Sequence, residues 1–240
     1  MRYAQLTMDE IKQYLNEETP VILPMGAVEV HGPHLPLETD NLLAERYADL
    51  LAEKIGALVL PVLPYGQVWS LRNFPGSLTV SDETMAAFLF EMGESVYQQG
   101  TRMVIFFSAH LGNMAAMKTA GRRLYDAYPD IKMLYLFYPN LLKFAQDIRE
   151  GKSAHHTYVH AEEVETSLML YLAPEAVDMD KAIDDPPEIP LSADFTPTPW
   201  ETFTESAVLG EATLASKEKG QYLVEKTLEQ AVRLIEQLKE

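Results

Sequence analysis

All six histidines of this chain fall in three short clusters. His31 and His34 lie in GAVEVHGPHLPLETD with Glu29 and Asp40, and His110 lies in FFSAHLGN. His155, His156 and His160 lie in HHTYVHAEEVETS, which continues into Glu163 and Glu165. Imidazole with carboxylate is the donor set of a borderline-soft divalent cation such as zinc. Glu29 and His31 are two apart, so an extended segment turns both to one face. Asp40 follows nine residues after His31, across a turn containing Gly32, Pro33 and Pro36 that can fold it back over the pair. His110 stands between an apolar run and Gly112–Asn113, where the chain must turn into a helix. His160 and Glu163 are three apart at a predicted helix start and share a face there. Glu165 is rotated roughly 140° from His160 at about 3.6 residues per turn, so Glu163 is the better ligand and Glu165 a supporting group.

These clusters need a frame to bring them together. Short apolar runs at 21–25, 57–63, 103–107 and 133–137 read as buried strands. Thr7 and Glu10 form a capping-box pattern for a first short helix ending near Leu15. Further helices are predicted over 41–54, 81–99, 114–128, 161–172 and 221–238, with Ser81 capping the second of these and Gly100 stopping it. Strands without alternation, separated by helices, indicate an α/β fold, a mostly parallel sheet covered on both faces. In such sheets sites form beyond the carboxyl ends of the strands. Glu29 and His31 follow the first strand, Gln67 to Asn73 the second, His110 the third and Tyr138 the fourth, so the clusters converge on one crevice. The proline-rich stretch 184–206 reads as an extended ordered loop anchored by Ile189, Phe195, Trp200 and Phe203.

Composition narrows the function. The chain has 240 residues, enough for one sizeable core, and is read as a single domain over 1–240. A net charge of −17 argues against nucleic acid or an anionic membrane as partner. The absence of cysteine excludes disulfides, thiolate metal sites and cysteine nucleophiles. No signal peptide and no uninterrupted run of about 18 apolar residues is present, so a cytoplasmic protein is expected.

The residues also resemble those of the creatininase (creatinine amidohydrolase) family over nearly the whole chain. Its E-x-H-G-x-H-L-P-L-x-T-D motif is matched by Glu29, His31, Gly32, His34, Leu35, Pro36, Leu37, Thr39 and Asp40. Its N-G-H-G-G-N motif is matched in part by Ser108 to Asn113, and its H-A-G-E-x-E-T-S motif by His160 to Ser167. Phe74-Pro75-Gly76 is similar to its F-P-G-T turn, and Ala215 to Gly220 to a C-terminal segment ending in K-G. The resemblance implies a three-layer α/β/α sandwich, two divalent metal ions per chain and hydrolysis of a C–N amide bond. Carried over by position, Glu29 and His110 hold one metal, His31 the other, and Asp40 bridges them. Zinc is the first expectation, manganese or iron the alternatives. A homo-oligomer, often a hexamer, is implied as well.

The departures bear on substrate and ligand set. The namesake enzyme has a metal-binding glutamate two residues after the histidine of the second motif, and Gly112 stands there in this chain. Glu163 is then the expected replacement, with a share in proton transfer left open, and His160 is the expected acid for the leaving nitrogen. The two tryptophans that close over creatinine in the namesake have Tyr138 and His156 as their nearest counterparts. With His34 and Arg72, the latter facing an anionic group on the substrate, they form the expected substrate-binding set. Creatinine itself is not expected, and a cyclic amide, formamide or related small molecule is. Two other readings stand beside this: a dinuclear metallophosphoesterase, and a non-catalytic metal-binding member acting in assembly.

Overall fold

A computed structural model describes residues 1–239. Four strands, β1 (Pro20–Met25), β2 (Leu58–Val59), β3 (Met103–Ser108) and β4 (Lys132–Leu136), form one parallel sheet in the order β2-β1-β3-β4. The chain leaves β1 toward β2 on one side and β3 toward β4 on the other. The carboxyl ends of β1 and β3 therefore flank the point where the winding reverses, the place where open α/β sheets bind ligands.

Alternate residues of the central strands face opposite layers, as the two-residue period requires. Ile22, Ile105 and Phe107 pack with α2 (Thr39–Ile55), α6 (Glu163–Leu172) and α7 (Lys217–Lys239). Val21, Leu23, Met25, Val104 and Phe106 pack with α3 (Asp82–Gln98) and α4 (Met114–Ala127). Both faces are thus buried, which is why these strands read as continuous apolar runs. The shorter helices are α1 (Met8–Tyr14), carrying the expected Thr7–Glu10 capping box, and α5 (Leu141–Ala145), which the sequence pattern did not suggest. Ser81 caps α3 through Thr84 N–H at 3.1 Å.

The second strand is far shorter than the 57–63 run. Leu60 N–H and Leu63 N–H still bond to Ile22 and Pro24 on β1, but Pro61 between them has no N–H to continue the ladder. Helix α6 begins at Glu163 rather than 161, because Ala161 is left-handed (φ 49°) and Glu162 caps the helix from extended backbone. In the proline-rich stretch, short 3-10 turns cover Leu191–Asp194 and Trp200–Thr202. Trp200 and Phe203 are half-buried there, whereas Phe195 is 81% exposed and anchors nothing.

Candidate metal centre

Past the end of β1, the chain stays extended through Glu29 to His31, so both side chains enter the crevice. Asp40 sits in the first turn of α2 and comes back over them. His110 follows β3, and Ser108 Oγ shapes that turn by accepting from His110 N–H at 3.1 Å. Glu165 projects from the first turn of α6. His31 Nε2 lies 3.6 Å from Asp40 Oδ1, 3.6 Å from Glu165 Oε2 and 4.0 Å from Glu29 Oε1. His110 Nδ1 lies 3.2 Å from Glu29 Oε1 and 3.3 Å from Asp40 Oδ2. His160 Nδ1 completes the group, 3.6 Å from Glu29 Oε1 and 4.0 Å from Glu165 Oε2.

Each of these histidines is set by a backbone carbonyl, which can only accept. His31 Nδ1–H donates to Glu29 O at 3.1 Å, His110 Nε2–H to Gln67 O at 2.7 Å and His160 Nε2–H to Val30 O at 2.8 Å. The other nitrogen of each ring therefore faces the carboxylates, and in the neutral imidazole it offers its lone pair to a cation there, the arrangement typical of metal-ligating imidazole. Glu29, His31, Asp40 and Glu165 are buried, and Glu29 Oε2, His31 Nε2 and Asp40 Oδ2 have no hydrogen-bond partner. Crowding three carboxylates in a dry site without a cation costs several kcal/mol per uncompensated charge. The donor set and the orphaned atoms fit divalent cations in three overlapping groups, Glu29–Asp40–His110, His31–Asp40–Glu165 and Glu29–His31–His160.

Titration reflects the same crowding. Burial pushes the His31 imidazole down, but Asp40, Glu165 and Glu29 together outweigh it and hold it at about 10. Burial likewise opposes charge on His110, and Glu29 and Asp40 raise it well above its ordinary value. Asp40 resists its burial because His31 and His110 keep it ionised, far below the usual carboxylate range. Burial raises Glu165, and Asp40 and Glu29 add to the rise against the pull of His31. His160 is pushed well below its ordinary value by burial and by its neighbour His31.

The predicted residues divide. Glu29, His31, Asp40, His110 and His160 come together as expected. Glu163 does not join them. Its carboxylate accepts from Glu150 N–H at 2.9 Å and Gly151 N–H at 2.8 Å, and pairs with Lys219 Nζ at 2.6 Å. The helical register drawn from His160 failed because His160 is not on the helix: the left-handed Ala161 intervenes, and Glu165 faces the cluster instead. Glu165 Oε2 also accepts from Ala161 N–H at 2.5 Å, which holds that turn. Gly112 leaves no room for a longer side chain, since a Cβ there would run into His110 Nε2 and Gln67 O.

The expected substrate-binding set lies elsewhere. His34 is buried with Nε2 2.9 Å from Thr166 Oγ1 and away from the cleft, and burial then His31 push it down to about 4. Tyr138 is buried between Tyr47 and Phe107, behind the centre. His156 is exposed beside Asp194. Arg72 donates to Trp69 O at 2.6 Å and stacks on the Trp69 ring at 4.1 Å. The cleft above the centre, about 200 Å³, is instead walled by Gln67, Ser70, Leu71, Phe137, Tyr158 and Trp200. Sequence reasoning also passed over Asn113. Its amide donates to Gly26 O at 3.0 Å and Ser108 Oγ at 3.1 Å and accepts from Gln67 N–H at 2.9 Å, tying three loops at the winding reversal. Its place three residues after the histidine of the second motif was the available signal.

The fold and this buried carboxylate–imidazole centre define an α/β protein with its site at the carboxyl edge of a parallel sheet. The family model described as creatinine amidohydrolase matches residues 4–235. The chain belongs to the creatininase family. It is 30% identical to the creatinine amidohydrolase of Pseudomonas putida, over 85% of this chain and 84% of that one. It is 26% identical to the 3-dehydro-scyllo-inosose hydrolase of Thermotoga maritima, over 99% of this chain and 83% of the relative. It is 27% identical to the mycofactocin precursor peptide peptidase of Mycolicibacterium smegmatis, over 84% and 78%. Among solved structures, a Zn-Zn mutant creatininase superposes with a TM-score of 0.85 at 28% identity, covering 98% of this chain and 97% of that one. A manganese creatininase gives 0.86 at 27% identity, covering 98% and 97%. These relatives are hydrolases, with substrates that range from creatinine to a peptide.

Proposed function

We propose that this protein is a metal-dependent hydrolase that cleaves a C–N amide bond in a small substrate. Glu29, Asp40 and His110 would hold one divalent cation and His31, Asp40 and Glu165 the other, with Asp40 shared. Glu165 takes the role that the sequence gave to Glu163. The observation that carries this is the set of three imidazoles, each pinned by a carbonyl, whose free nitrogens converge on three buried carboxylates. Zinc or manganese is the metal of choice, in line with the two solved creatininase forms. Such cations lower the pKa of a coordinated water toward about 7 and polarise a carbonyl oxygen.

The chain's own residues supply the rest. His160 lines the cleft with Nδ1 turned inward and Nε2–H held by Val30 O. It can take a proton on Nδ1 and pass it to the leaving nitrogen, with the Val30 carbonyl steadying the imidazolium. Glu163, paired with Lys219, has no reach to the reacting atoms. Its place is to hold the 150–151 backbone, upstream of the segment that carries Tyr158 and His160.

The test is metal content and turnover of the purified protein beside Asp40→Ala. About two ions per chain, lost in the variant together with hydrolysis of a cyclic-amide and formamide panel, is the expected result. One ion or none, unchanged by the substitution, rules out the shared role of Asp40. A full metal complement with no turnover on any amide favours the non-catalytic reading.

A further inference from the structure

The wall of the cleft that faces the centre carries no lysine or arginine among the described residues. Three cations of the surrounding segments are engaged elsewhere. Arg72 is bound to the Trp69 carbonyl and ring, Arg149 lies 3.2 Å from Glu162, and Lys219 pairs with Glu150 and Glu163. What the wall offers is aromatic surface and two neutral polar side chains, Gln67 and Ser70. Trp200 stands in it with its ring 5.3 Å from that of His160 at 86° and 5.4 Å from Tyr158 at 42°.

Trp200 belongs to the proline-rich stretch, yet it is fastened on both sides. Asn73 donates to Glu201, the next residue, and joins the segment to the loop after β2. On the other side His155 Nδ1 accepts from Thr157 N–H at 3.2 Å and Tyr158 N–H at 3.3 Å. Its proton therefore sits on Nε2, which meets Asp194 Oδ1 at 3.1 Å. That tautomer makes His155–His156–Asp194 a clasp and not a metal site, although the three donors are close enough together to suggest one.

We infer that Trp200 selects an uncharged substrate with a flat face and that the cation-free wall excludes amides bearing a carboxylate or phosphate. The inference rests on the hydrolase reading above for the site it describes. Glu29, Asp40 and Glu165 would offset all but about one positive charge of the two divalent cations they are read to hold, so the centre itself would offer a substrate anion little counter-charge. A substrate anion placed in the cleft then loses water without gaining a counter-charge. A flat ring instead gains contact with the Trp200 ring, and a neutral amide edge can meet Gln67 and Ser70. A peptide end with a free carboxylate is disfavoured for the same reason.

The experiment uses the full chain loaded with zinc and a matched pair of probes, hydantoin and hydantoin-5-acetate. Trp69→Phe leaves Trp200 as the sole tryptophan, so its emission reports binding, and calorimetry follows the other variants. The uncharged probe is expected to bind at least about tenfold tighter than its carboxylate partner, and Trp200→Ala to weaken it about tenfold at unchanged metal content. Ser70→Arg, which adds a cation to the wall, is expected to narrow or reverse the preference. Equal or tighter binding of the carboxylate, no binding of either probe, or full affinity in Trp200→Ala overturns the inference. The expected binding pattern with no cleavage of either probe supports it and counts against hydrolysis.

Discussion

Exchanging Glu163 and Glu165 in turn for glutamine separates two roles that helical spacing assigned the other way round. In Glu163→Gln the amide oxygen can keep the backbone donors of Glu150 and Gly151, but the charge facing Lys219 Nζ at 2.6 Å is gone. Lys219 retains Glu150 at 2.7 Å and Leu214 O at 2.7 Å, so the cost is that of a partly compensated buried pair, about 2–4 kcal/mol. For a chain of this size that lowers Tm by about 5–15 °C. Metal content should not change. In Glu165→Gln the fold loses a carboxylate that Asp40 and Glu29 repel, while the amide oxygen still accepts from Ala161 N–H. The chelated protein should then be as stable as wild type or more so. Metal content should fall by about one ion per chain and amide hydrolysis by at least about 100-fold. The assays are calorimetric melting of the chelated proteins and elemental analysis of the loaded ones. Metal loss in Glu163→Gln with an unchanged Tm, or two retained ions in Glu165→Gln, refutes the assignment.

Further outcomes follow from the same geometry. His31 and His110 bind protons more tightly folded than unfolded, so the stability they contribute to the chelated protein is lost as pH rises from about 6.5 toward 10, and Glu165 adds a loss that begins at its ordinary carboxylate value and ends near about 8. Urea titrations should show a loss of at least about 1.4 kcal/mol over that range, and a flat or rising profile refutes the sign. Below about pH 6.5 the slope should reverse in part, because His160 stays neutral in the fold and gains its proton on unfolding. Gly112→Ala should displace His110 from Gln67 O and lower the affinity for the metal that His110 holds by about 10–100-fold, read by competition with a chromogenic chelator; unchanged affinity shows that the loop gives way freely.

Much of this protein is set by local pattern. Apolar runs buried on both faces marked β1 and β3, a half-buried run marked the edge strand β4, and a Ser81 side chain was enough to start α3. The E-x-H spacing put Glu29 and His31 on one face because extended backbone has a two-residue period whatever surrounds it. Those features depend on neighbours in the chain, so the sequence by itself determined them, together with the parallel α/β class and the convergence of Asp40 and His110 on the same crevice. The rest depended on contacts between distant segments. The left-handed turn at Ala161 took His160 off the helix and moved the site's carboxylate from position 163 to 165. Lys219, 56 residues beyond Glu163 along the chain, claimed that carboxylate for the fold. Arg72 turned onto Trp69 and left the cleft, while Trp200 was carried to its wall from a segment that sequence reasoning treated as a surface loop. Spacing along one segment says which residues can share a face. Only tertiary packing decides which partner reaches a charged side chain first, and so which of two neighbouring glutamates faces the imidazoles and which is held by the fold.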